Sequence, residues 1–132
     1  MNNLNNRYGD VGVSSAISYF TVNQYSVLFP LSDSRPYDLV VELDNVYHKV
    51  QCKYTTRKTG ENGGYYVHFT TGGKSYKESD FDFLWIHSPE CFYLIPSVMI
   101  FHYTNVKSTL TLTDKFDPFI IKPLEIFGIR ER

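Results

Sequence analysis

Three residues close together in the chain have the types and spacing to act on a phosphate ester. Asp38 lies in Pro36-Tyr37-Asp38-Leu39-Val40-Val41-Glu42-Leu43, and Gln51 and Lys53 lie in Lys49-Val50-Gln51-Cys52-Lys53. Between these segments Asp44-Asn45 reads as a two-residue hairpin turn. With the turn there, Leu43 faces Val46, and counting back along both strands sets Asp38 opposite Gln51, roughly 5 Å apart at Cβ. Lys53 lies two residues beyond Gln51 and points to the same face. A slip of one residue would undo the grouping. Cleaving a phosphodiester takes a hard cation, a water made nucleophilic, and neutralisation of the charge that develops on the phosphate. Asp38 would give the cation its carboxylate. The side-chain oxygen of Gln51 and the backbone carbonyl of Cys52 are hard donors of the kind magnesium accepts, with manganese as a substitute. Lys53 would orient or deprotonate the attacking water, or meet the phosphate. Any strand pair can offer an acid and a lysine as a solvated surface. Here Leu39, Val40, Val41 and Val50 set the polar trio beside buried positions, and the preceding loop adds Asp33 and Arg35, which could approach a phosphate.

The elements that must position these residues follow from periodicity. Val13, Ala16, Ile17 and Phe20 recur at helical spacing, which predicts a short helix ending near Asn23 with Asp10 as its cap. The period then changes to two. Strands are predicted at Tyr25–Phe29, Tyr37–Leu43, Val46–Tyr54, Gly64–Thr70, Phe81–His87, Cys91–Pro96 and Thr109–Thr113. Leu31–Pro36 and Thr55–Gly63 read as loops. From Ser97 onward the pattern assigns no role, and Pro118 and Pro123 interrupt it. The expected architecture is α+β, a single domain over residues 1–132, with a mixed, mainly antiparallel sheet flanked by a few helices.

The chain has 132 residues, 42% of them hydrophobic, enough for one core, with eleven Tyr and ten Phe that favour strands. The formal net charge is -1, so a surface for a polyanion must be a local patch. Cys52 and Cys91 make neither a disulfide framework nor a zinc pattern. The N-terminus is polar and Asn-rich where a secretory segment would be apolar. The longest apolar run, Cys91–Tyr103, is short for a membrane span and contains Pro96 and His102. An intracellular, cytoplasmic protein without a membrane partner is expected.

Other candidates fare less well. His48, His68, His87 and His102 are scattered without zinc spacing. No serine elbow and no phosphate-cradling glycine loop is present, and the paired glycines read as turns. Cys52 has the parity opposite to Lys53 and reads as core. Glu42 shares the parity of Asp38 but would face Tyr47 near the hairpin tip, on a solvated edge. For contacts with the phosphates of a polyanion, Arg35, Arg57, Lys58, Lys74 and Lys77 join Lys53 around the hairpin end and its neighbouring loops, interleaved with Tyr54, Tyr65, Tyr66 and Tyr76. Glu61, Glu78, Asp80 and Asp82 dilute the patch, and ordinary solvated loop lysines are the competing reading.

A first helix carrying Gly9-Asp10-Val11-Gly12, a strand ending in Pro30, then Ser34-Arg35-Pro36-Tyr37-Asp38-Leu39-Val40 and Val50-Gln51-Cys52-Lys53 together resemble the PD-(D/E)XK nucleases. Within them the pattern is most similar to the group I intron-associated homing endonucleases, which tolerate Gln in place of the usual acid, as at Gln51. Ser79-Asp80-Phe81-Asp82-Phe83 and Phe92-Tyr93-Leu94-Ile95-Pro96 suit the same family, so the resemblance spans about Tyr8 to Pro96. It implies a restriction-endonuclease-like core, magnesium-dependent cleavage of double-stranded DNA, and a homodimer or higher homo-oligomer. One position departs. The family often places Glu just after the second glycine of the first helix, where this chain has Val13. Asp10, one turn earlier, is the candidate to replace it. The alternatives are a catalytically weakened DNA-binding module on the same fold, or an aromatic-rich β domain that binds a protein partner.

Overall fold

The computed structural model describes residues 4–123. The chain enters through helix α1 (Leu4–Val22). Ala16 and Phe20 are buried on its inner face and Val13 and Ile17 half-buried, as the spacing predicts. The helix starts earlier than its apolar stripe, so Asp10 lies in its body and is not its cap. No proline interrupts Leu4–Gly9, and one glycine inside a helix costs only about 1 kcal/mol. At the other end Gln24 takes a left-handed conformation, φ 68. Tyr25 N–H then reaches the Phe20 carbonyl and Gln24 N–H the Thr21 carbonyl, the paired bonds of a Schellman closure.

Strands β1 (Ser26–Leu28), β2 (Leu39–Leu43) and β3 (Val46–Tyr54) follow as an antiparallel meander. Leu43 faces Val46 and Leu39 faces Val50, the predicted register. Asp44 and Asn45 have φ 52 and 67, the positive pair that a tight hairpin with right-handed twist requires. Glu42 accepts the Asn45 N–H at 3.0 Å, so this acid closes the turn.

The segment after β3 forms a second layer. The predicted strand Gly64–Thr70 divides into β4 (Tyr66–His68) and β5 (Thr70–Thr71), and β5 pairs with β6 (Lys74–Ser75). The break falls at Phe69, which is fully buried and donates its N–H to the Ser108 carbonyl. A turn of 3₁₀ helix at Glu78–Asp80 leads into β7 (Phe83–His87), and β8 (Phe92–Pro96) returns antiparallel to it. The segment that periodicity leaves unassigned holds helix α2 (Ser97–Tyr103), β9 (Thr109–Thr111) against β4, and β10 (Ile120–Ile121) against β8. At Gly64 a Cβ would overlap the Leu112 carbonyl, so a glycine lets the two ends of this layer touch.

The main sheet has the order β1-β2-β3-β7-β8-β10, with β3 and β7 parallel and the other pairs antiparallel. Strand alternation sorts its two faces. Leu39, Val41, Val50, Cys52, Trp85 and Phe92 face α1. Leu84, Ile86, Tyr93 and Ile95 face the second layer, where Phe69, Tyr76, Phe81, Ile100, Leu110 and Phe116 complete a larger core. Burying each of these large side chains stabilises the fold by about 1.5–3 kcal/mol. The architecture is the restriction-endonuclease-like α+β arrangement expected from the sequence. No described helix is long and apolar enough to cross a membrane.

Candidate active site

Asp38 stands immediately before β2. Its N–H donates to the Val50 carbonyl at 2.9 Å, tying it to β3 just before the β2–β3 ladder begins. Its Oδ2 accepts the Cys52 N–H at 3.0 Å. The carboxylate is therefore fixed from both ends, and Oδ1 is the oxygen it can offer. Gln51 is buried, with Nε2 3.5 Å from the Cys52 carbonyl, a weak contact that leaves the amide free to turn. Lys53 pairs with Ile86 and extends its ammonium over the Tyr76 ring, 5.1 Å from the centroid.

These side chains open into a cleft of about 650 Å³ that Tyr8, Asp10 and Val13 of α1 also line, with Arg57, Tyr66 and His68 across it. A small residue sets how close α1 comes. Gly12 is buried, and a Cβ on it would lie 3.1 Å from the Lys53 carbonyl oxygen. The helix thus packs directly on the strand that carries Gln51 and Lys53. Tyr8 stacks flat on Tyr54, with centroids 4.7 Å apart, and ties the first turns of α1 to the end of β3.

Burial governs the electrostatics. Desolvation raises the Asp38 pKa above the ordinary carboxylate value, against the lowering by the Cys52 N–H and the Lys53 charge. Desolvation also lowers the Lys53 pKa, with the Asp38 charge acting the other way. Burial, and then the Asp38 charge, pushes the Cys52 thiol well above its usual range. Cys52 stays a protonated core residue and not a nucleophile. The Tyr76 phenol is pushed up to about 12, first by burial and then by the Asp38 charge.

The oxygen donors suit a hard divalent cation. Asp38 Oδ1, the Gln51 amide oxygen and the Cys52 carbonyl lie on adjoining backbone, and turning the Gln51 amide would set two oxygens together, an arrangement a cation relieves. Among the described residues no group of three or more His, Cys, Asp or Glu converges as a metal cluster. A cation here would rest on a single carboxylate and neutral oxygens and keep several waters, as magnesium does.

The other sequence candidates are spread more widely. Arg57 lines the cleft. Arg35 is exposed in the loop before Asp38, and Lys58 is exposed with its ammonium 4.9 Å from the Tyr65 ring centroid. Lys74 is exposed on the β5–β6 hairpin, and Lys77 is exposed at the start of the 3₁₀ turn, its N–H donated to Asp80. His48 packs edge-on against Phe83, and His87 against Phe92. Val13, placed on the apolar side of α1 by its spacing, also forms part of the cleft wall. Tyr76 had no distinguishing signal in the sequence beyond being one of several tyrosines among basic residues.

Comparison with known proteins identifies the family. A family model described as PD-(D/E)XK endonuclease matches residues 4–117. The structure of the bacterial homing endonuclease I-Ssp6803I is similar, at 27% identity and a TM-score of 0.67, covering 96% of this chain and 88% of that one. A Holliday junction resolvase from Archaeoglobus fulgidus aligns over 98% of this chain and all of its own, at 11% identity and a TM-score of 0.49. No curated protein matches the chain. With the family match running from α1 through the Asp38–Lys53 hairpin to the second layer, the chain belongs to the PD-(D/E)XK endonuclease family and is a DNA nuclease.

Proposed function

We propose that the protein is a divalent-metal-dependent endonuclease that cuts double-stranded DNA at a specific sequence, of the homing type, with magnesium as its ion and manganese as a substitute. The observation that carries this reading is the convergence of Asp38, Gln51 and Lys53 in one cleft. Similarity to a homing endonuclease over most of both chains supports the finer assignment. Asp38, the Gln51 side-chain oxygen and the Cys52 carbonyl would hold the ion. When bound, it supplies Lewis-acid stabilisation of the phosphate charge and a more acidic water. Lys53 would orient the attacking water or take its proton; burial lowers its pKa from the ordinary lysine value, with the Asp38 charge acting the other way. Asp10, lining the same cleft one helical turn before Val13, is the candidate for a second carboxylate.

Arg57 inside the cleft, with Arg35, Lys58, Lys74 and Lys77 around it, would hold phosphates and position the duplex without reading its sequence. A homodimer or larger homo-oligomer would supply one site per strand and match a near-palindromic target. The protein would act in the cytoplasm.

A second reading is favoured by Val13, an apolar side chain in the cleft wall: a weakened nuclease that binds DNA on the same surface. Plasmid libraries carrying random inserts, incubated with magnesium or with EDTA, separate the two. The proposal expects magnesium-dependent linearisation at selected inserts, lost in Asp38→Ala and Lys53→Ala, both with unchanged circular dichroism. Binding without cutting would favour the weakened module. Cutting by Lys53→Ala at the wild-type rate would remove the assigned site.

A further inference from the structure

Lys53 shares its cleft with the Asp38 carboxylate, whose charge acts on it, and its ammonium also meets an aromatic ring. The nearest aromatic group to its ammonium is Tyr76, from a part of the chain distant in sequence. The Tyr76 ring is 4% exposed and lies edge-on to Phe69 and Phe81, with centroids 5.1 and 5.3 Å away. Its N–H donates to the Phe69 carbonyl at 3.2 Å, continuing the β5–β6 hairpin. The backbone bond and the two ring edges hold the ring in one orientation. A lysine has four rotatable bonds and no fixed geometry of its own. One face of a locked, buried ring attracts the ammonium through the ring quadrupole, most strongly where water is excluded.

We propose that Tyr76 is a positioning residue for the DNA-cleavage reaction, its ring fixing the Lys53 ammonium toward the Asp38 side of the cleft. The proposal rests on the reading that Lys53 serves the cleavage chemistry. It accounts for the small β5–β6 hairpin, which contributes two short strands to the fold and presents this ring to the main sheet. The ring acts through its face, so Phe can replace Tyr, whereas Met of comparable volume cannot.

The contact and its consequence can be tested separately. Reductive ¹³C-methylation keeps lysine charged and gives each amine an NMR signal. Over the Tyr76 ring the Lys53 signal is expected upfield of the other lysines, assigned by its loss in Lys53→Met. The shift should persist in Tyr76→Phe and vanish in Tyr76→Met. For function, single-turnover cleavage of a library-selected DNA site should fall about tenfold to a hundredfold in Tyr76→Met, the scale of misplacing a reacting group. DNA affinity should be unchanged, and Tyr76→Phe should cleave near the wild-type rate. Phe116→Leu controls for stability: it thins the same core from beside Tyr103 and should leave cleavage intact. An unshifted Lys53 signal in the wild type overturns the proposal, as does a shifted signal with full cleavage by Tyr76→Met. Unimpaired cleavage by Lys53→Met would instead overturn the role of Lys53 and leave the NMR contact standing.

Discussion

The two faces of β3 carry opposite environments in alternate residues. Val50 and Cys52 point into a dry core under α1, sealed by Trp85 stacked on Phe92 at 5.3 Å. Gln51 and Lys53 point the other way, into a cleft with an acid at its wall. Polar groups on the dry side are few and paired: Ser15 accepts the Trp85 Nε1–H at 2.9 Å, bonds His87 Nδ1 at 3.0 Å and donates to the Gly12 carbonyl. On the cleft side Asp38 and Lys53 are desolvated with their charges only partly balanced. The dry face supplies stability, and the cleft face gives up some of it to hold Asp38 and Lys53 in place.

This contrast can be broken most severely from the dry side. Trp85→Ala should destabilise the fold by about 3–5 kcal/mol, read by urea denaturation, because a fully buried indole leaves a cavity and Ser15 loses the Nε1–H it accepts. Gly12→Ala joins the two sides. With the Lys53 carbonyl already at 3.1 Å from a new Cβ, backbone must move, at a cost of about 1–3 kcal/mol. Cleavage should fall by more than the loss of stability explains, since the displaced strand carries Gln51 and Lys53. A result with lower stability and full activity would show the cleft to be insensitive to the seating of α1.

The cleft side can be probed more gently. Arg57→Ala should reduce the slope of log affinity against log salt by about one, read by fluorescence titration, if the arginine holds one phosphate. The smallest effect concerns pH and again separates the faces. Burial lowers the His87 pKa, so the native state binds fewer protons there than the unfolded chain. Its contribution is present above the unfolded value of 6.5 and is lost as pH falls through the lower folded value. Asp38 has the opposite sign: its raised pKa favours the native state at low pH, and that gain is lost as pH rises through the folded value. In metal-free protein His87→Phe should therefore flatten the loss of thermal stability below about pH 6.5. Asp38→Asn should raise the melting temperature at neutral pH and make no difference in acid.

Much of the site was open to reading before any fold was known, because its information is local. A tight turn with positive φ at Asp44 and Asn45 fixes one register, and the period of two then sets Asp38, Gln51 and Lys53 on one face and Cys52 on the other. The apolar stripe of α1 was legible for the same reason, although its first turns were not, since Asp10 looks like a cap when the residues before it carry no apolar pattern. The division of Gly64–Thr70 into two strands depends on Phe69 turning into a core whose other members come from α2, β9 and beyond. Helix α2 is seven residues long and directly follows Pro96, too short to repeat an apolar stripe.

The sequence by itself determined the hairpin, the parity of its side chains and the chemistry they could perform, since turn geometry and strand alternation act over a few residues. Only the tertiary structure decided that β7 lies parallel to β3, that Val13 and Asp10 reach the same cleft, and that Tyr76 lies under Lys53. Those contacts join residues far apart in the chain, and they form only when the burial of both sheet faces outweighs the entropy of bringing such distant segments together.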